Sequence, residues 1–416
     1  MGYKEFPGKS ASDLLTCSGS LATLAAPRCT NRGAVMSDSL EVVALSRKAG
    51  DVSRFLRLAY RIYDGDPHWV APLLMDLKKV FTSANPLFHH AEMQLWIARR
   101  NGRDVGRIAG IIDRNYQEIT QVPVAFFGFY ECEDRQETSR LLFQTAFAWA
   151  EQHQCNRILG PMNPTTNDEC GLLIQGFDSS PVIMMTYNPA YYIPQYEQMG
   201  LVKSKDLLAF EISMAGIPMD RLLRIGGKVK SRNPDVQLRP ILRKTLLEDL
   251  DKLKQVYNEA WQDNWGFVPM TDAEVDFMAG RLKPLMMEGL VWLAETGSEP
   301  VGFLLALPDF NGALKSLRGK VVTPGILGFL PYLFGWKRPK GTRVITLGVK
   351  EKYRNRGLET AMLIEGLKVG FDAGFEVSEA SWILEDNNAM IRILEAIGGK
   401  PYKRYRIFER DLSKVR

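Results

Sequence analysis

Apolar residues recur at helical spacing from Val52 to Tyr63, with Phe55, Leu58, Ala59 and Ile62 on one face, and this predicts an opening helix. Pro67 and Pro72 end it in a turn-rich stretch. The pattern then becomes strand-like in MQLWIARR and DVGRIAGIID, parted by a glycine turn. VAFFGFYEC, a helix near 138–153 and a further strand in RILGP follow. Between Ile212 and Pro240 the chain turns basic and irregular, with Arg221, Arg224, Lys228, Lys230 and Arg232 among Gly226, Gly227 and Pro234. This stretch reads as a connection, with a solvated surface helix and loop as the other reading. Regular patterning resumes with strand VQLRPI, a helix from about Leu246 to Trp261, and strands LVWLAET and EPVGFLLALP joined at Gly297. The second half thus repeats the first in kind, and the fold class expected is α/β, with a mixed sheet and flanking helices in each half.

A chain of 416 residues exceeds what one core usually organises, and 45% apolar residues supply two. The expected divisions are a disordered leader at 1–35, with Met36 as the true start, a first domain at 36–212, a basic linker at 213–235 and a second domain at 236–416. A secretory signal is not expected, since Glu5 and Asp13 precede a run broken by Ser, Gly and Thr. No stretch reaches the roughly 20 apolar residues that span a bilayer. Lys and Arg exceed Asp and Glu by 53 to 48, too small an excess to mark a nucleic-acid binder. Cys17, Cys29, Cys132, Cys155 and Cys170 form no C-x-x-C pair, which fits a reducing, cytoplasmic setting. Four histidines, of which only His89 and His90 are close, argue against a metal site.

The chemistry concentrates in TRVITLGVKEKYRNRGLETAMLIEGLKVGFDAG, a strand, a turn and a helix with Ala361, Met362, Ile364, Leu367 and Phe371 on its apolar side. Backbone N–H groups at such a helix start bind a pyrophosphate without any particular side chain, and Gly357 lets the backbone come close. The turn Arg354-Asn355-Arg356-Gly357-Leu358-Glu359 resembles the acyl-CoA loop of the GNAT (Gcn5-related N-acyltransferase) superfamily, except that Glu359 stands where a small residue is usual. A second element follows in place: strand VSEASWILE, then Asp386, Asn387, Asn388, Ala389 and Met390, then a short helix. The resemblance implies acyl-CoA or acetyl-CoA as co-substrate, held by Leu347, Gly348 and Val349, by the turn through Thr360, and by Asn387. For Asn387 a helix N-cap role stands beside this one. It also implies direct attack by a substrate amine on the thioester. Glu385, beside the strand end, is the expected base; where many members place a tyrosine acid this chain has Leu394, leaving Tyr402 or Tyr405 as substitutes.

In the first half Asn188 precedes Gly200 by 12 residues, against 11 between Asn387 and Gly398, so a tandem GNAT repeat is expected. Its loop ECEDRQETSR has no glycine and would repel a pyrophosphate, so no CoA is expected there. Asn163, Asn167, Asp168, Glu169, Asp178, Tyr187, Asn188, Tyr191 and Tyr192 crowd among glycines and prolines. They form either a substrate pocket or a set of Asx-turns and caps. Cys170 has no nearby histidine to make it a nucleophile.

One stretch stands apart. Near 309–342, PGILGFLPYLFGW lies between Lys315, Arg318 and Lys320 and Lys337, Arg338, Lys340 and Arg343. Apolar residues bracketed by cations suit docking at an anionic membrane or a lid over a long acyl chain, with packing between domains as the plainer use. From PHWVAPL to the CoA loop, the order of segments resembles a bacterial tandem-GNAT family that includes bacterial ceramide synthases. That resemblance implies transfer of a fatty acyl group to the amine of a sphingoid base, at the inner face of the membrane. A small-amine acetyltransferase, an aminoacyl-tRNA-dependent transferase and a non-catalytic lipid- or protein-binding module are the alternatives.

Overall fold

Asn101 at φ 51° and Gly102 at φ 79° form the two-residue turn that twists correctly for a hairpin, and they join two long strands. In the computed structural model, residues 39–413 are described, apart from 263, 321–323 and 335. The expected leader and the Met36 start lie outside them. In the first half β1 is Leu40–Leu45, β2 Ala91–Arg100, β3 Arg103–Asp113, β4 Val124–Cys132 and β5 Arg157–Gly160. Three short strands follow, β6 Met162–Asn163, β7 Glu169–Cys170 and β8 Leu172–Gln175, before the long β9 Val202–Ser213. The second half supplies β10 Gln237–Pro240, β11 Val291–Thr296, β12 Glu299–Pro308, β13 Gly341–Val349, β14 Val377–Leu384 and β15 Lys400–Asp411.

Thirteen of these strands make one continuous sheet in the order β1-β2-β3-β4-β5-β15-β9-β14-β13-β12-β11-β10, with β8 against β15, while β6 and β7 pair apart from it. The order carries an exchange. β15, from the end of the chain, runs antiparallel beside β5, with Phe408 opposite Gly160 and Asp411 opposite Arg157. β9, from the first half, runs antiparallel beside β14, with Ser213 opposite Val377. Each half therefore completes its sheet with the last strand of the other, and the described residues from Ser39 onward form one compact unit. Ala209, Phe210, Ile212, Tyr405, Ile407 and Phe408 are buried along this seam. Asp206 of β9, 0% exposed, accepts from Arg406 Nε at 2.7 Å and pairs with Lys203 at 3.4 Å.

Helices cover both faces. Gln136–Gln152 packs Leu142, Phe143 and Ala146 on one side of the first half, while Phe55, Leu56 and Phe81 fill the other. In the second half Leu246–Ala260 covers one face and Leu358–Asp372 the other. The basic stretch at 213–235 holds a helix, Met219–Arg232. Leu222, Ile225, Gly226 and Val229 fall at i, i+3, i+4 and i+7, so one face is apolar despite the charge, and it packs on Leu358–Asp372 with Gly226 against Ile364.

His90 bridges the halves. Nδ1 meets Asp113 at 2.9 Å, and Nε2 meets Glu274 at 3.0 Å in the first turn of helix Asp272–Leu282. The hydrogen bond that the ring donates to Asp113, then that to Glu274, lifts the imidazole from its ordinary value to about 9 against the opposing effect of burial. The folded state thus holds the proton more tightly than the unfolded chain, where histidine titrates near roughly 6.5. The contribution is full below pH 6.5 and is lost as pH rises through about 9. The expected result is a thermal midpoint that falls between these two pH values in the wild type. In His90→Gln the midpoint starts lower and is flatter across that window.

Candidate active site

β13 and β14 run parallel and are paired from Gly341↔Val377 to Val344↔Ala380, after which they part. Between them lies a cavity of about 240 Å³. Its walls are Ile345–Leu347 of β13, Ser381–Leu384 of β14, Asn387 and Met390 of the next helix, and Tyr257 and Trp261 of Leu246–Ala260 and its cap. Thr166–Cys170, from the first half, closes one side. Gly348 is needed for this shape, because a Cβ there would lie 2.1 Å from the Trp261 ring.

Beyond β13 the chain turns into Leu358–Asp372, whose Leu363 lines the cavity. Asn355 at φ 62° and Gly357 at φ 80° make the turn, and the first intrahelical bond runs from Ala361 N–H to the Gly357 carbonyl at 3.0 Å. Helix geometry leaves the N–H groups of Leu358, Glu359 and Thr360 without carbonyl partners inside the helix, the arrangement that receives a phosphate. The two arginines of the turn are engaged with protein. Arg354 Nη2 donates to the Ala260 carbonyl at 2.7 Å, while Arg356 donates to Asn233 Oδ1 at 2.7 Å and Asp235 at 2.6 Å. They brace the turn as well as charge it. Burial pushes the Glu359 carboxyl above its usual range, opposed by its own backbone N–H and by Arg354. Asn387 accepts the Met390 N–H at 3.1 Å as the cap of Asn388–Ala396, and it also lines the cavity, so the cap role is compatible with ligand contact.

The first half has the same parting, since β4 and β5 pair only from Val124↔Arg157 to Phe126↔Leu159. Here the chain fills the gap itself. Asn163 Oδ1 accepts the Phe129 N–H at 2.6 Å, and a Cβ on Gly128 would fall 1.6 Å from the Met162 carbonyl oxygen. The acids of the following loop serve Arg100, through Glu133 at 3.1 Å and Glu137 at 3.0 Å. The chain then runs on to place Asn167, Asp168 and Glu169 in the cavity of the second half. Tyr257 donates to Asn167 Oδ1 at 2.9 Å, and Asn167 Nδ2 donates to the Val268 carbonyl at 3.1 Å, so the loop is clamped across the halves.

The residues expected to act fall into two groups. Leu347, Asn387, Asn167, Asp168 and Glu169 meet at the cavity. The others are placed elsewhere. Asn188 accepts the Leu173 N–H at 2.7 Å and donates back to its carbonyl at 3.1 Å; Tyr187 donates to Asp66 at 3.1 Å and Tyr191 to the Cys132 carbonyl at 2.8 Å. Glu385 accepts from Lys203 at 2.6 Å and from the Asp206 N–H at 3.2 Å, outside the cavity walls. Tyr402 donates to Glu379, and Tyr405 is fully buried, its hydroxyl unpartnered among the described residues.

Sequence reasoning missed the cavity floor. Arg343, grouped above with the cations after the apolar insertion, is 1% exposed. It sits opposite Glu379 in the last pairs before the strands part. Its Nε donates to Ser381 Oγ at 3.0 Å, Nη1 donates to the carbonyls of Ile183 and Met184 at 2.9 and 2.7 Å, and its guanidinium lies 4.9 Å from the Trp382 ring centroid. Ser381 Oγ in turn donates to Glu379 at 2.5 Å. A signal was present: a cation within the apolar run TRVITLGV is a buried charge unless that strand is exposed, and it calls for a partner. Burial pushes the Asp168 carboxyl up to about 6, against the hydrogen bond from Thr165, and raises Glu169 as well. Burial also pushes the Cys170 thiol up to about 12, which keeps it protonated at neutral pH.

A model of the Acetyltransferase (GNAT) family matches residues 250–398. The chain is 35% identical over 380 residues to the bacterial ceramide synthase of Caulobacter vibrioides, a span of 90% of this chain and 98% of that one. It is 32% identical over 376 residues to protein YghO of Escherichia coli, covering 87% and 93%. Among solved structures, a tandem GNAT protein from the clavulanic acid biosynthesis pathway superposes with a TM-score of 0.56 at 14% identity, over 90% of this chain and 99% of that one. A GCN5-related N-acetyltransferase from Sphaerobacter thermophilus gives 0.50 at 14%, over 90% and 96%. At such identities the likeness concerns the fold: two tandem GNAT-like halves, each a mixed sheet flanked by helices.

The filled cleft of the first half can be tested on its own. Gly128→Ala forces a methyl into a backbone carbonyl and is expected to cost about 1–3 kcal/mol or more of stability in urea unfolding. Coenzyme A affinity of the folded variant should stay at the wild-type value.

Proposed function

The chain belongs to the GNAT superfamily, in the tandem-GNAT family of the bacterial ceramide synthase, and from this premise we propose that it transfers a fatty acyl group from acyl-CoA to the amine of a sphingoid base. The observation that carries it is the pairing of one open cleft with one filled cleft. The open cleft has Leu363 of the helix that Gly357 begins on one wall and the polar residues Asn167–Glu169 on another.

In this reading the N–H groups at 358–360 receive the pyrophosphate, and the parted edges of β13 at Leu347–Val349 take the pantetheine. The acyl carbon then lies between the strands, where the amine attacks it directly. The 35% identity to the Caulobacter vibrioides ceramide synthase along nearly its whole length supports a sphingoid acceptor. A cavity of about 240 Å³ is smaller than the roughly 300–1,000 Å³ of small-ligand pockets. A long acyl chain and a long-chain base therefore both extend beyond it.

The apolar insertion offers the surface they would meet. Leu327, Phe334 and Trp336 are 68%, 59% and 80% exposed, beside exposed Arg318, Lys320, Lys337 and Arg338. Among the described residues no helix is long and apolar enough to cross a membrane. Aromatic side chains ringed by cations suit an anionic bilayer surface. The insertion is also joined to the cavity wall, because Asp309 accepts the Ile183 N–H at 2.9 Å while Arg343 donates to the Ile183 carbonyl.

Two measurements test this. In a mass-spectrometric assay with palmitoyl-CoA or acetyl-CoA and a sphingoid base, palmitoyl transfer to the base is expected, and Gly357→Asp should weaken coenzyme A binding by roughly tenfold or more. Unchanged affinity in a folded Gly357→Asp variant contradicts the cofactor seat, transfer from acetyl-CoA alone contradicts the fatty acyl donor, and absence of transfer to the base contradicts the lipid acceptor. In sedimentation with vesicles, binding to phosphatidylglycerol but not to phosphatidylcholine is expected, with loss in a Phe334→Ser, Trp336→Ser variant.

A further inference from the structure

We propose that Asp168, carried by the first half, is the catalytic base for the amine that is acylated in the cleft of the second half. This rests on the N-acyltransferase reading above and names a residue for its proton transfer. A primary amine reaches the site at neutral pH as an ammonium ion, which has no lone pair to attack with. One proton must leave before the C–N bond forms, and an acceptor within reach of the cavity has to take it.

The carboxylates near the parted strands can be compared one by one. Glu385 is bound to Lys203 and the Asp206 N–H, outside the cavity. Glu379 takes the hydroxyls of Ser381 and Tyr402 and lies opposite Arg343 beneath the parting. Glu169 lines the cavity but is paired in the short β6–β7 ladder, and the Arg343 charge acts on it more strongly than any other. Asp168 stands on the cavity wall with Thr165 Oγ1 donating to Oδ2 at 2.7 Å. A carboxylate has about four acceptor positions, so anchoring by the Thr165 hydroxyl and backbone orients the group and leaves it able to receive a proton.

Its support is rigid. The Asp168 N–H closes a turn on the Thr165 carbonyl at 3.2 Å, and the neighbouring Asn167 is clamped by Tyr257 and Val268 of the second half. The groups that act on Asp168 are Thr165 of its own loop, and Arg281 and Glu274 of helix Asp272–Leu282; Glu169 is its chain neighbour. Tyr257 and Cys170 complete the surroundings as neutral groups, both raised by burial. The resulting value of about 6 leaves Asp168 ionised at neutral pH yet basic enough to take a proton from an ammonium ion next to it.

The step balances as follows. The Asp168 carboxylate takes one proton from the ammonium ion, and the free amine attacks the thioester carbon. The C–N bond forms, the C–S bond breaks with its electron pair going to sulfur, and the second nitrogen proton passes to the thiolate. Amide and free thiol result, and Asp168 releases its proton to water.

The test is the pH dependence of acyl transfer by the whole chain. Wild type is expected to show a kcat/KM limb with an inflection near pH 6, plus the amine's own titration. Asp168→Asn should lose roughly 10²-fold or more at pH 7.5, lack that limb and keep wild-type coenzyme A affinity. An acceptor amine of low pKa, already uncharged at pH 7, should recover most of the loss. Thr165→Val, which removes the hydroxyl that orients Asp168 and lowers its value, should move the limb to higher pH. An Asp168→Asn variant within threefold of wild type, or a limb that persists in it, overturns the assignment, as does an unmoved limb in Thr165→Val. Absence of acyl transfer by the wild type to every amine tried, with coenzyme A bound, brings down the acyltransferase reading and this assignment with it.

Discussion

Everything in this molecule depends on where two strands go. β9 leaves the first half to pair with β14, and β15 returns from the second half to pair with β5, so neither half has a complete sheet without the other. Their shared seam is held by an antiparallel ladder from Val202↔Glu409 to Glu211↔Lys400, and by a buried Asp206 that takes the guanidinium of Arg406. A buried carboxylate is costly unless paired, and Arg406 pairs it from the facing position on the other exchanged strand. Once the register is set, the parted ends of β4–β5 and β13–β14 are fixed within the same sheet. The segment between β5 and β9 is then close enough to serve both.

That segment explains how a duplicated fold ends with two unlike clefts. In the first half a missing Cβ at Gly128 admits the chain's own Met162 carbonyl, and Asn163 takes the backbone donor of Phe129. In the second half a missing Cβ at Gly348 admits the Trp261 ring instead, which covers the strand from above and leaves the gap between strands open. A few residues further on, Asn167–Glu169 reach that open gap. The same eight residues, 162–169, thus fill one cleft and finish the other.

Much of this was legible in the sequence, for local reasons. The Asn101-Gly102 hairpin, the strand-turn-helix at 341–372 and the polar cluster after β5 each follow from residues close together in the chain. The strand exchange was not legible, because it pairs residues about 200 positions apart and both strands look like ordinary closing strands. Helix Met219–Arg232 was obscured by its charge and by Gly226-Gly227, although Leu222, Ile225 and Val229 keep helical spacing. Glu385 was chosen for its nearness to the strand end, yet position along the chain does not give side-chain direction. In the fold Lys203 and the Asp206 backbone of the exchanged strand β9 hold it away. Arg343 was read as a surface cation because it follows a run of them. It faces inward because it lies within the sheet, opposite Glu379.

The most direct test of the account is a crystal structure of the protein with a non-hydrolysable acyl-CoA analogue. The account predicts one ligand per chain, with its pyrophosphate at the N–H groups of 358–360 and its acyl carbonyl between β13 and β14, facing Asn167–Glu169. A ligand in the cleft of the first half, one in each half, or one whose acyl group lies away from the 166–170 loop would contradict it.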